Sequence, residues 1–213
     1  MGIQERKERE RGRRRQQIMI AAKRVFYNKG FARVTMEDIA REAELSPGTL
    51  YLYFKNKDEL CASLSLRILQ YLNMRLRHVS SEKELDGKQK LEALKNTIIN
   101  VYEFDPLILV NLFRLQSSET LKNLSPELLA DIKELFSSSL SAMSDIFNEG
   151  IKTGVVIDKK PEALADQMWA LFSGIVLWGE SKKIMYNNKD YLKQALETAF
   201  EVFLLGIKRE NRV

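Results

Sequence analysis

Ser46, Pro47, Gly48, Thr49, Tyr51 and Tyr53 lie close together, and Lys55 and Lys57 follow at once. Their types suit recognition rather than bond-making. Pro47 and Gly48 allow close approach, and the hydroxyls of Ser46, Thr49 and the two tyrosines both donate and accept. On a helical period Leu50 and Phe54 fall together as an apolar pair, which leaves Pro47, Gly48, Thr49, Tyr51 and Tyr53 on the outward face. Thr35 supplies a further hydroxyl and Arg13, Arg14 and Arg15 further cations. Such a set can hold anionic oxygens and flat polar edges through hydrogen bonds. Bond-making chemistry is poorly supplied. There is one histidine, His78, and one cysteine, Cys61. No HExxH motif, metal-ligand cluster or glycine-rich phosphate loop accompanies them, so neither an enzyme nor a metal or cofactor is expected.

These residues need short helices to present them. Ile18, Ala21, Ala22, Val25 and Phe26 form the stripe of an amphipathic first helix, which Asn28-Lys29-Gly30 ends with a left-handed cap at Gly30. The charged run Gly2–Arg15 frays or extends that helix. Thr35 is an N-cap with Asp38 as a capping-box variant, and Ile39, Ala40 and Ala43 face inward. Ser46 is another N-cap, with Pro47 in the first helical position, opening a third helix over Pro47–Phe54. Three short helices with a tight turn before the third make a helix-turn-helix. A long fourth helix runs from Asp58 to His78. Further helices are expected over Leu91–Tyr102, Leu107–Ser118, Pro126–Lys152, from Asp158–Glu162 to Lys183, and Tyr191–Arg209, with Val155–Asp158 extended and Asn187–Asp190 separating the last two. The fold class is all-α with about nine helices, consistent with only 10 Gly and 4 Pro. Two domains are expected, over residues 1–57 and 58–213.

Charge divides along the same line. Residues 1–57 hold 14 Lys/Arg and 7 Asp/Glu, a local charge of +7 within a chain whose net charge is +5, so the remainder carries −2. The first quarter is therefore the part expected to meet a polyanion. The longest apolar runs fall short of the roughly 20 residues that span a bilayer, and no secretory leader is visible. A single cysteine favours a reducing, cytoplasmic setting.

The run from Thr35 to Leu60, TMEDIAREAELSPGTLYLYFKNKDEL, resembles the signature of the TetR family of transcription regulators, and Ile20–Phe31 resembles the first helix and Gly-Phe turn of that family. The likeness covers about residues 15–61. It implies that Thr35 contacts phosphate, that Ser46, Pro47, Gly48 and Thr49 begin a recognition helix, that Tyr51 and Tyr53 touch backbone or bases, and that Lys57 binds phosphate. Arg15 and Lys55 complete the expected DNA-binding set. Glu44 departs from the pattern, standing where the family has Gly in the turn; a left-handed conformation there costs about 1 kcal/mol. The resemblance further implies a homodimer on a palindromic operator in double-stranded DNA and a response to a small-molecule effector. Repression rests on the family alone, and activation is open.

In the second domain Tyr71, Met74, Tyr102, Phe104, Phe113, Met143, Phe147, Trp169, Phe172 and Trp178 would line an apolar cavity for a lipophilic effector. Ordinary core packing explains any one of them equally well. Leu192, Ala195, Leu196, Ala199, Val202, Phe203 and Gly206 form a stripe on the final helix, continued by Phe200 and Leu204, that suits either a partner protomer or the monomer core. The rival reading is an architectural DNA-binding protein without a ligand, against which the near-neutral C-terminal three-quarters weighs.

Overall fold

Side-chain caps set where most helices begin. Thr35, Ser46, Asn56, Asp86 and Ser125 each accept a backbone N–H three residues on, satisfying a donor that the first turn leaves free. The computed structural model describes residues 2–116, 119–186 and 191–209. Among them are nine α-helices: α1 (Ile3–Lys29), α2 (Met36–Glu42), α3 (Pro47–Tyr51), α4 (Lys57–Ser81), α5 (Gly87–Phe104), α6 (Pro106–Gln116), α7 (Pro126–Lys152), α8 (Pro161–Tyr186) and α9 (Leu192–Gly206). Short 3₁₀ turns cover Phe31–Arg33 and Glu119–Asn123. No strand occurs among the described residues. The expected all-α fold class is what the chain adopts. The expected helix end at Ser118 and the Asn187–Asp190 separator lie outside the described residues.

Of the two courses open to the charged N-terminus, it extends the first helix: it is helical from Ile3, so α1 is far longer than its apolar stripe. Two local expectations change. Gly30 has φ 74° but ψ 147°, an extended backbone of positive φ rather than a left-handed helical cap, and its N–H still bonds to the Phe26 carbonyl. α3 ends at Tyr51, although Leu50 and Phe54 are both buried as their spacing requires.

α4 is the spine. Its apolar residues Leu60, Leu69, Leu72 and Leu76 are fully buried, and it packs against α7 most extensively, then α5, α6 and α1. Met143, Ile146 and Phe147 of α7, Phe172 and Val176 of α8 and Phe200 of α9 belong to the same continuous core. The extended connection after α7 pairs with the end of α9. Ile157 N donates to Ile207 O at 2.8 Å and Arg209 N to Val155 O at 2.9 Å, around an isolated antiparallel bridge between Val156 and Lys208.

The apolar stripe of α9 splits in two. Leu192, Leu196 and Phe200 are buried against the chain itself, whereas Val202, Gly206 and the neighbouring Leu205 are exposed. A helix apolar on more than one side must leave one side outward in a single chain.

Candidate nucleic-acid interface

The turn between α2 and α3 aims the third helix. Leu45 N donates to Ala40 O at 2.8 Å and Glu44 N to Arg41 O at 3.1 Å, closing α2 with Glu44 in the left-handed region at φ 55°. The glutamate takes the conformation that a glycine would take freely. At the start of α2, Thr35 and Asp38 form a reciprocal capping box, and Lys29 donates to Asp38 at 2.6 Å. That ammonium, with the Thr35 backbone N–H, holds the Asp38 carboxyl below its ordinary value.

α3 presents its first turn to solvent. Ser46 Oγ accepts from Thr49 N at 3.1 Å and shares a 2.9 Å hydrogen bond with Thr49 Oγ1. Ser46, Pro47 and Gly48 are exposed, Thr49 is half-buried, and Tyr51 is 48% exposed. A Cβ on Gly48 would meet nothing closer than Ser46 Oγ at 4.0 Å, so the fold itself does not demand a glycine there. Tyr53 is half-buried against the core. Thr35 and Lys55 are exposed.

Arg15 and Lys57 are placed differently from solvated cations. The Arg15 guanidinium turns inward, donating to Tyr53 O at 3.3 Å and Ser63 Oγ at 2.8 Å with its centre 4.3 Å from the Phe54 ring centroid. Burial lowers its pKa, Glu59 opposing and Arg11 adding to the effect. The Lys57 ammonium donates to Phe31 O at 2.9 Å and Val34 O at 3.0 Å above the Phe31 ring. It stands at the start of α4, beside the Asn56 cap. Two further long-range bonds fix the same middle stretch of α1: Arg67 donates to Gln16 at 2.6 Å and Gln17 to the Ala43 carbonyl at 3.3 Å.

A second cluster joins the N-terminal helices to the rest. Asp105, 3% exposed at the α5–α6 corner, pairs with Lys23, accepts the Tyr27 hydroxyl at 2.7 Å, and accepts Ile108 N at 3.3 Å. Partial burial and then the Asp105 carboxylate raise the Tyr27 phenol well above its ordinary value. No sequence signal marks this cluster beyond the Asp105-Pro106 break.

The ten aromatic and sulfur residues do not converge on one site. Phe113, Trp169 and Phe172 meet edge to face at 5.1–5.9 Å between centroids, with Phe136 on Trp169 at 4.8 Å. Met143, Phe147 and Tyr102 are buried in core. Three sit outside any interior: Met74 is 58%, Phe104 60% and Trp178 56% exposed, with Tyr71 stacked on Phe104 at 4.7 Å. Helical spacing groups residues on a face without saying whether that face meets the core, so these three share the spacing of the buried residues and not their burial. A cleft of about 150 Å³, which none of the ten lines, lies between Phe31, Asp58, Cys61, Asn111, Arg114, Leu115 and Thr120. Burial, then Asp58, pushes the Cys61 thiol up to about 12, so it is no nucleophile at neutral pH. Among the described residues no cluster of His, Cys, Asp and Glu could hold a metal, and no helix is long and apolar enough to cross a membrane.

Residues 18–64 match the family model for bacterial regulatory proteins of the tetR family. An HTH-type transcriptional regulator of Haemophilus influenzae is 33% identical over 191 residues, covering 87% of this chain and 92% of its own. The fatty acid metabolism regulator protein of Bacillus subtilis is 29% identical over 153 residues, 71% of this chain and 75% of its own. The solved structure of the fatty acid degradation regulator FadR from Bacillus halodurans superposes with a TM-score of 0.64 at 22% identity, covering 89% of this chain and 94% of that one.

Proposed function

The chain belongs to the tetR family of bacterial regulatory proteins, and from that premise we propose that it binds a palindromic operator as a homodimer, represses transcription there, and is released by a small lipophilic effector. One observation carries the DNA-binding half: the first turn of α3 stands free of the body of the protein, with Ser46, Pro47, Gly48 and Tyr51 outward while Leu50 and Phe54 anchor it from behind. A helix so presented enters a major groove with its N-terminal residues at the base edges. Thr35 and Lys55 are accessible to the flanking phosphates, and Lys57 retains one ammonium proton beyond the two carbonyls it binds. Thr49 and Tyr53 support this face from its half-buried side. Arg15 acts in this reading as the strut that fixes α1 to the end of α3 rather than as a phosphate contact.

The outward sides of α8 and α9 favour a second copy of the chain. Trp178, Val202 and Leu205 are exposed there, and Gly174 leaves open space where a side chain would stand. Pairing these faces would hold two recognition helices for half-sites spaced by one helical turn, about 34–36 Å. The effector reading draws on the relatives concerned with fatty acids and on the aromatic cluster around Phe113, Trp169 and Phe172. A ligand that opened this cluster would shift DNA affinity only through its differential binding to the two states. Its cytoplasmic setting is part of the same proposal.

The test is selection of bound sequences from a random duplex library by the purified chain, followed by titration of the recovered sequence against unrelated duplex. Recovery of a palindrome, with binding lost on Tyr51→Ala, is expected. Equal affinity for every duplex would refute the operator reading and favour an architectural role.

A further inference from the structure

Twelve residues of α1, from Ile3 to Arg14, precede the point at which the helix enters the core. They project as an exposed rod roughly 18 Å long at 1.5 Å per residue. Ile3 is its one apolar side chain and is 80% exposed, so the rod has no face with which to pack on protein. Its direction is nevertheless fixed. Arg15 is bonded to Tyr53 and Ser63, Gln16 to Arg67 and Gln17 to Ala43, three side chains in succession tied to the end of α3, to α4 and to the α2–α3 turn. An unbroken helix clamped at its base carries its charges at a set position relative to the recognition helix.

Those charges are uncommitted. Among the described residues the side chains of Arg6, Lys7, Arg11 and Arg13 have no hydrogen-bond or ion-pair partner, and Arg11 is near enough to Arg15 to repel it. Lys7, Arg11 and Arg14 are spaced i, i+4, i+7 on the stripe that continues into Ile18, Ala22 and Val25, the side turned toward the other N-terminal helices. The acidic neighbours are partly engaged within the rod itself: Glu5 accepts the Gly2 N–H and Glu8 the Gln4 amide. Gly12 sits mid-helix where a Cβ would meet nothing, at a cost to the helix of about 1 kcal/mol that no contact in the fold explains.

We infer that this N-terminal rod is a second DNA contact outside the helix-turn-helix, a basic arm that binds the phosphate backbone of the duplex flanking the half-site without reading its sequence. This rests on the DNA-binding reading above. A rod of this length matches about five base pairs at 3.4 Å each. Phosphate contacts release condensed counterions, so each one steepens the fall of log affinity with log salt by about 0.9. They carry no base information and therefore strengthen operator and random DNA alike.

The experiment compares three full-length chains on the selected palindrome and on a random-sequence duplex of equal length, titrated from about 50 to 200 mM salt. They are the wild type, a chain with Arg6→Gln, Lys7→Gln, Arg11→Gln and Arg13→Gln, and a control with Lys133→Gln, Lys152→Gln, Lys159→Gln and Lys160→Gln. All four control lysines are exposed in or beside α7 and α8. Far-ultraviolet circular dichroism checks that each variant remains helical. The arm variant is expected to show a slope shallower by about 0.9 per lost contact, up to roughly 3.6 for each protomer. Across that salt range each arm would then cost the wild type on the order of a hundredfold in affinity that the variant keeps, and the two arms of a dimer on the order of ten-thousandfold. The ratio of palindrome to random binding should stay constant, and the control should match the wild type. An arm variant with the wild-type slope overturns the inference, as does a control whose slope flattens equally. Wild-type binding without sequence preference would remove the operator reading while leaving the arm to be judged by its slope. Wild-type binding to no duplex overturns both.

Discussion

Replacing Asp105 by Asn tests whether one buried carboxylate joins the N-terminal helices to the body of the protein. The substitution keeps the shape and an acceptor oxygen for Tyr27 and for the Ile108 N–H, and puts an NH2 donor where the oxygen faced Lys23, so charge and acceptor are lost there together. The magnitude follows from where each partner sits. Breaking a fully buried ion pair costs about 3–5 kcal/mol because the orphaned charge stays in a poor solvent. Here the orphan is the Lys23 side chain, 44% exposed, which water can solvate, whereas the Asp105 side chain is 4% exposed. The expected loss is therefore nearer that of a charge-assisted hydrogen bond, about 1.5–3 kcal/mol. For a chain of this size that lowers Tm by roughly 3–12 °C. Urea unfolding of Asp105→Asn, Lys23→Met and the double variant measures it. The two single losses should exceed the double by at least about 0.5 kcal/mol, since both remove one interaction. An Asp105→Asn chain within about 0.5 kcal/mol of wild type, or strict additivity, would refute the reasoning.

Two further outcomes can be read from single positions. Glu44→Gly should stabilise the chain: relief of the left-handed backbone returns about 1–2 kcal/mol, and the greater freedom of unfolded glycine takes back about 0.5–1. A rise in Tm of a few degrees is expected, and a fall would show that the Glu44 side chain itself holds the turn. Tyr27 bears on alkaline stability. Its folded pKa is raised, so its contribution is intact below the unfolded value of about 10 and declines as pH climbs above it. Urea midpoints from about pH 9 to 11 should fall more steeply for wild type than for Tyr27→Phe, and parallel decline would count against the Asp105 hydrogen bond.

Features that depend on a few adjacent residues were legible in the sequence. The Thr35–Asp38 box, the Ser46–Pro47 start and the burial of Leu50 and Phe54 are local, and each is found where its spacing put it. Even Glu44, a departure from the family pattern, adopts the backbone the motif requires. What escaped depends on partners far along the chain. Arg15 belongs to a basic run yet is claimed by Tyr53 and Ser63, 38 and 48 residues away. Asp105 falls in the gap between two expected helices, and its partner Tyr27 is 78 residues off. Periodicity also failed to separate interior from exterior, so Met74, Phe104 and Trp178 were grouped with Phe113 and Phe172, although only the latter two are core. The length of α1 was open because Gly2–Arg15 has charges suited equally to a helix and to a solvated tail.

The tethering of Lys57 has a consequence for how costly recognition is. A free lysine loses most of its rotamer freedom on gripping an anion, a penalty of about 0.5–1.5 kcal/mol for each long side chain immobilised at an interface. Lys57 has already lost that freedom in the unbound chain, held by the carbonyls of Phe31 and Val34 and by the Phe31 ring. Its ordering entropy belongs to folding, and an oxygen arriving at its remaining proton meets a donor already in place.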